Sequence, residues 1–424
     1  MRISPEDKPV LDAVEARATD LIDRAVAWCA INSGSRNTDG LERTLAALEP
    51  VLRALPGETR RVALRDSETV ADDGEVKRFR HPDALLLTVR PEAPVQVVMT
   101  GHYDTVYPAS SPFQRVAVRA DGVLHGPGIA DMKGGISVML GALEAFEGHP
   151  LKDRVGYRVL LSPDEEIGSP ASAPVLAELG ALGHVGMTYE PAMGVEGALA
   201  GSRKGSANWH AVVKGKAAHA GRDFASGRNA VAGAAAIASA LHALNGRRDG
   251  VTINVGQISG GGPLNVVPDR AVVRFNVRVP DAASAEWITS EVQRVVTGET
   301  LTGDQGLTVE LHGGFTRPPK PFDAAQQALF DKISEAGALL DQTIVWKPSG
   351  GVCEGNNLHA AGLPNVDTLG VRGGDIHSED EHAYPESFAE RAKLSALILM
   401  KLASGEIDGP ALKALRLSLT QGAA

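Results

Sequence analysis

The sequence predicts an α/β protein with a smaller α+β domain set into it. Three observations carry this. Strand-length apolar runs alternate with helical spacing from about residue 84 to Glu190. A β-α-β-β-α-β order then fills residues 205–316, the order of a ferredoxin-like sandwich. Past Arg317-Pro318-Pro319 the α/β character returns. The expected parts are therefore 1–204, 205–316 and 317–424, and 424 residues suit two cores better than one.

Taken in order, residues 10–30 have helical apolar spacing. Residues 40–49 read as a helix capped by Asp39, with Glu42 completing a capping box and Pro50 kinking or ending it. Short β-type runs follow at 84–89 and 95–99. Gly134-Gly135 opens a helix over 136–146, whose Ser137, Gly141 and Ala142 suit close packing on a sheet. Residues 157–161 and 185–188 read as buried strands. In the inserted part, 207–213 is a strand and 229–244 an Ala-rich helix. Strands at 251–258 and 271–279, a helix at 284–296 and a strand at 307–311 complete it. Helices are expected again at 323–340 and 385–403.

Composition excludes several classes of function. Net charge is −10 with both signs interleaved, which argues against a nucleic-acid partner. No apolar run approaches the roughly 20 residues that span a bilayer, so no membrane association is expected. Aromatic residues are 4% of the chain, too few for base-stacking platforms. The only cysteines are Cys29 and Cys353, so a disulfide framework is not in play. The first 30 residues contain no signal-type apolar centre, and a reducing, cytoplasmic location is the simplest reading.

Five short segments each deliver a metal-type ligand: Gly101-His102-Tyr103-Asp104, Ala130-Asp131-Met132-Lys133, Pro163-Asp164-Glu165-Glu166, Tyr189-Glu190-Pro191 and Asp375-Ile376-His377-Ser378. Three of them follow directly on apolar runs, and ligands of open α/β sheets collect at the carboxyl ends of parallel strands. His102 and Asp104 lie two apart on extended chain, so one could ligate while the other holds the imidazole from behind. Three adjacent acids at 164–166 repel one another unless a cation gathers them. One could bind metal while its neighbour takes a proton from water. Each piece has a plain alternative: a polar loop for His102 and Asp104, an N-cap for Asp131, a solvated acidic turn, an ordinary strand-end carboxylate for Glu190, a satisfied surface or core histidine for His377. His125, His359 and His382 lie near these segments too.

Together with Gly126-Pro127-Gly128-Ile129-Ala130-Asp131-Met132-Lys133-Gly134-Gly135, Asp164-Glu165-Glu166-Ile167-Gly168-Ser169 and Gly215-Lys216-Ala217-Ala218-His219-Ala220-Gly221, these segments resemble the M20 metallopeptidase family. The resemblance extends over roughly residues 30–403. It implies a zinc-peptidase-like catalytic domain with a mixed central sheet flanked by helices, and makes the inserted sandwich a lid or dimerisation domain.

Residue by residue, the resemblance implies two Zn2+ ions per subunit, with Co2+ or Mn2+ as substitutes. His102 and Glu190 would hold the first ion, Glu166 and His377 the second, and Asp131 would bridge them. Asp104 would orient His102, and Glu165 would be the general base that prepares a metal-bridged hydroxide. The Asp131-Met132 peptide would be cis. His219 resembles the family histidine that reaches into the partner subunit's site, which implies a homodimer through the lid. Asn265 and Arg278 resemble residues that grip a substrate's terminal carboxylate, and Gly351 would offer its amide nearby. The implied activity is cleavage of an amide or peptide bond in a small N-acyl amino acid or short peptide.

Two departures stand out. Many relatives place an Asp after the glycines, where this chain reads Val352-Cys353-Glu354-Gly355-Asn356; if Glu354 fills that position, its extra methylene changes the pocket. The 193–199 loop carries Glu196 and no Lys, so selectivity for a C-terminal glutamate is not expected. Competing readings are an N-carbamoyl amino-acid or ureide amidohydrolase, which usually has His where Glu190 stands, and a non-catalytic metal-binding relative. A related di-zinc aminopeptidase would lack the inserted sandwich.

Overall fold

The computed structural model describes residues 1–298 and 306–421; residues 299–305 of the expected insert and 422–424 lie outside the described residues. The chain divides into two compact units. The first comprises Met1–Arg65, His81–Ser202 and Phe322–Ala424, and the second Asp66–Arg80 and Arg203–Pro321.

The first unit is built on a six-stranded mixed sheet. Its order is Glu58–Val62, Ala84–Val89, Val155–Ser162, Val95–His102, Val185–Thr188, Asn365–Val366. The first two junctions are antiparallel and the other three parallel. Alternate side chains of each strand face opposite layers. Leu85, Leu87, Val97, Met99, Val159 and Leu161 pack with the helices Lys8–Ala16, Ala18–Cys29, Lys133–Phe146 and Glu386–Ser404. Leu86, Val98 and Leu160 pack on the opposite side with Leu176, Leu179, Leu358 and Leu363. The sheet is thus covered on both faces, and its central strands read as continuous apolar runs.

The second unit carries a four-stranded antiparallel sheet in the order Thr252–Gly260, Arg270–Val279, Gly205–Lys214, Thr308–Arg317. The helices Ala230–His242 and Ala282–Thr297 place Ile237, Leu241, Ile288 and Val292 against Trp209, Phe275 and Val277.

Some local expectations need correction. The helix at 40–49 runs from Thr38 to Arg53; its cap is Asn37, whose side chain accepts the Gly40 N–H at 3.2 Å, and not Asp39. Pro50 does not end it, and the helix continues for three residues to Arg53. Residues 10–30 form two helices, broken at Arg17. The segment 66–80, expected in 1–204, belongs to the second unit. Its hairpin, Ser67–Val70 with Val76–Phe79, packs Val70 on Val212 and Val272, and the Arg274 guanidinium donates to the Val70 carbonyl at 2.9 Å.

Candidate metal centre

Parallel pairing gathers most of the cluster. In register, His102 lies beside Ser162 and Thr100 beside Thr188. The chain emerging from those strands therefore delivers His102, the Asp164-Glu165-Glu166 turn and Glu190 to the carboxyl end of the parallel strands. Asp131 arrives just before the helix Lys133–Phe146. Gly134 and Gly135 permit its placement, since a Cβ on them would meet the Ile129 and Tyr189 carbonyl oxygens at 2.2 and 2.0 Å. His377 comes from the loop after Gly373–Gly374, its backbone in the left-handed region at φ 64°. The Asp131-Met132 peptide bond is cis.

The two oxygens of Asp131 face different histidines. Oδ1 lies 3.2 Å from His102 Nε2, and Oδ2 lies 3.2 Å from His377 Nε2. Glu190 Oε1 stands 3.7 Å from the same His102 nitrogen, and Glu166 Oε2 stands 3.2 Å from His377 Nε2. Donor atoms of His102, Glu165 and Glu190 lie within 4.8 Å of one another, as do those of His102, Asp131 and Glu166.

Asp104 supports this from behind. Its carboxylate lies 3.3 Å from His102 Nδ1, accepts the Glu165 and Glu166 backbone N–H groups at 3.1 and 3.2 Å, and accepts the Ser35 hydroxyl at 2.7 Å. Asp164 turns away from the cluster; it accepts the Ala171 N–H, the Ser172 N–H and the Ser172 hydroxyl.

The cluster's charges show what it is suited to hold. Burial would lower the His102 imidazolium, but Asp104, Asp131 and Glu190 raise its pKa well above the ordinary value. Hydrogen bonds to Asp131 and Glu166 raise His377 to about 11. Burial and repulsion by Asp131 push Glu166 well above the carboxylate range. Burial also works to raise Asp131, yet bonds from both histidines hold it below its usual value. Protons therefore collect here to offset crowded carboxylates, a task a divalent cation performs instead when ligands deprotonate. Glu166 Oε1 and Glu190 Oε1 are buried without a hydrogen-bond partner among the described residues, which suits coordination and is costly otherwise. Imidazole and carboxylate donors at these positions fit one or two divalent ions. A cavity of about 450 Å³ lined by Ser35, Arg36, Asn37, Thr105 and Glu166 adjoins the cluster.

The other expected residues are carried by other elements. His219 is exposed on the two-stranded ribbon Ala218–His219 with Val266–Val267, where its Nδ1 accepts from Gly221 and Arg222 N–H at 3.1 Å. Asn265 is exposed next to that ribbon, its carbonyl accepting the Ala220 N–H. Arg278 is half-buried on Arg270–Val279 and its Nε donates to Asn276 Oδ1 at 3.0 Å. Gly351 is exposed in the first unit and donates to the Ser349 hydroxyl. Glu354 is buried and accepts from Ser162. The loop with Glu196 does meet a lysine, Lys347, which pairs with it from a distant strand.

Sequence reasoning missed Glu381. This carboxylate is fully buried and accepts the Asp131 and Ala130 N–H groups at 3.0 and 2.9 Å. Within Ser378-Glu379-Asp380-Glu381 it looks like one more solvated acid; only its place four residues after His377 sets it apart.

Histidines and carboxylates gathered at strand ends of a covered α/β sheet make a candidate divalent-cation site. The chain belongs to Peptidase family M20/M25/M40, whose sequence profile matches residues 98–401. It is 25% identical over 319 residues to carboxypeptidase G2 of Pseudomonas sp. strain RS-16, covering 73% of this chain and 74% of that one. It is 30% identical over 311 residues to a succinyl-diaminopimelate desuccinylase of Verminephrobacter eiseniae, covering 68% and 73%. In fold it is similar to a tripeptidase of Staphylococcus aureus, with TM-score 0.68 at 22% identity over 91% of this chain and 99% of that one. An M20 family metallo-carboxypeptidase of Sulfolobus solfataricus gives TM-score 0.68 at 15% identity, covering 89% and 98%. The chain is thus a hydrolytic enzyme of the carboxypeptidase and desuccinylase type, from a metal-dependent family, with a candidate metal-binding cluster. None of the described helices is long and apolar enough to cross a membrane.

Proposed function

We propose that the chain is a di-zinc hydrolase that cleaves the amide bond of an N-acyl amino acid or short peptide. The observation that carries this reading is Asp131, whose two oxygens each stand 3.2 Å from a different imidazole. His102 and Glu190 would hold one ion and Glu166 and His377 the other, with Asp131 between them; cobalt or manganese suits the same donors. Bound there, the ions would acidify water and polarise the scissile carbonyl. Glu165 takes the proton of the attacking water and passes it to the leaving amine. Asp104 fixes the His102 ring and, through two backbone N–H groups, the turn that carries Glu165.

In the same reading, Arg278 and Asn265 grip a terminal carboxylate, for which a guanidinium fork is suited, with the Gly351 amide assisting. His219 donates to the developing oxyanion, serving the substrate held by a second copy, so that a homodimer formed through the second unit is the working enzyme. The names of the relatives, a carboxypeptidase and desuccinylases, agree with an amino-acid amide as substrate.

The test is a screen of acylated amino acids and dipeptides with added zinc or cobalt, reading free amine. Release of one amino acid, abolished by a chelator and restored by zinc, is the expected result. A metal-replete, folded protein that releases no amine from any member of the panel contradicts the proposal.

A further inference from the structure

Glu381 has no place in the chemistry above, yet it is fully buried beside it. Its Oε1 accepts the N–H groups of Ala130 and Asp131 at 2.9 and 3.0 Å. Its Oε2 accepts the Gly128 N–H at 3.1 Å and the Tyr107 hydroxyl at 2.7 Å. The Tyr107 hydroxyl also reaches the Ser378 carbonyl at 2.7 Å, and the Glu381 carbonyl accepts the Gly126 N–H at 3.1 Å. One side chain therefore ties together three loops: the one after His102, the one ending in Asp131, and the one after His377.

Four donors occupy the acceptor capacity of the carboxylate, so Glu381 is poorly placed to serve as a ligand itself. Its effect passes through the main chain of Asp131. An aspartate that must present each oxygen to a different imidazole tolerates little rotation, and its orientation follows that of the peptide plane carrying it. Without Glu381, three backbone N–H groups and one phenol lose a buried acceptor at once, and the 128–131 turn loses what fixes it.

We propose that Glu381 is a positioning residue for the cation centre: by holding the backbone of the 128–131 turn it keeps Asp131 in its two-sided orientation and thereby sets the affinity for divalent ions. This rests on the reading of the cluster as a two-cation centre.

The experiment strips the full-length protein with a chelator and titrates zinc against a chromophoric competitor. It compares wild type with Glu381→Gln, Glu381→Ala and Tyr107→Phe, each checked for fold by circular dichroism. Wild type should bind two equivalents tightly. Glu381→Gln keeps one acceptor oxygen but turns an NH2 toward existing donors, and should bind zinc about 10- to 100-fold more weakly while folded. Tyr107→Phe should be affected less, and activity of Glu381→Gln should recover toward wild type at saturating zinc. Folded Glu381→Gln with wild-type affinity for both ions overturns the proposal, as does activity that stays lost at saturating zinc. Should Glu381→Ala fail to fold, Glu381→Gln and Tyr107→Phe decide the matter. Wild type that binds no zinc would instead remove the two-cation reading, an outcome distinct from the first.

Discussion

Asp104 and Glu165 are joined through the main chain: the Glu165 N–H donates to Asp104 Oδ1 at 3.1 Å, and that same oxygen lies 3.3 Å from His102 Nδ1. One buried carboxylate thus sets both an imidazole of the cluster and the residue proposed as the base. Replacing Glu165 by Gln keeps the backbone donor and removes only the proton acceptor. Turnover should fall about 10²- to 10⁴-fold while zinc content, read by elemental analysis, stays at the wild-type level. A non-catalytic metal-binding relative would show no change in any hydrolytic readout.

Asp131 and His377 should differ in what their loss does to metal content. Asp131 faces both imidazoles, whereas His377 stands near Asp131 Oδ2 and Glu166 only. Asp131→Ala should abolish tight binding of both ions, and His377→Ala should leave one. Zinc stoichiometry after dialysis distinguishes the two; equal losses would contradict the division of ligands.

Gly135 sets the approach of the Lys133–Phe146 helix to the strand end that carries Glu190. A Cβ there would meet the Tyr189 carbonyl at 2.0 Å, and backbone on both sides cannot yield cheaply. Gly135→Ala should cost about 1–3 kcal/mol in urea unfolding and weaken zinc binding in the folded fraction. Unchanged stability and affinity would show that the close approach is dispensable.

Outside the cluster, Lys401 and Asp7 form a buried pair at 2.9 Å, with Glu406 also 2.9 Å from the ammonium and His149 3.3 Å from Asp7. Burial would raise Asp7, but Lys401 and the Ser4 N–H hold it below its ordinary 3.8. Burial would lower Lys401, but Asp7 and Glu406 hold it above 10.5. The depressed Asp7 contributes stability present above its unfolded value and lost as pH falls through the folded one. The raised Lys401 contributes stability present below its unfolded value and lost as pH rises through the folded one. Lys401→Met should therefore cost about 3–5 kcal/mol near neutrality, with the deficit shrinking below about pH 4 and above about pH 10.5. Melting curves across that range, with Asp7→Asn/Lys401→Met recovering part of the loss, are the check. A deficit that does not vary with pH would contradict the pairing.

The central sheet and the cluster were readable because their signals are local. Continuous apolar runs mark strands covered on both faces, and the acids and histidines follow those runs within a few residues. Glu58–Val62 was not readable: it is an edge strand of sequence ETRRV, largely exposed, with no buried face to impose alternation. The hairpin within 66–80 was likewise hidden, because what assigns it is the contact of Val70 with Val212 and Val272, more than 140 residues away in sequence. Asp39 and Asn37 are both good cap residues by type, and only the backbone conformation at Asn37 separates them. Glu381 escaped because its role depends on loops that meet only in three dimensions.

The most direct measurement is an anomalous difference map from a crystal grown with zinc. Two peaks are expected, one among His102, Asp131 Oδ1 and Glu190, the other among Asp131 Oδ2, Glu166 and His377. Zinc bound elsewhere, or these five side chains splayed well beyond the roughly 2.0–2.2 Å reach of zinc ligation, would contradict the account.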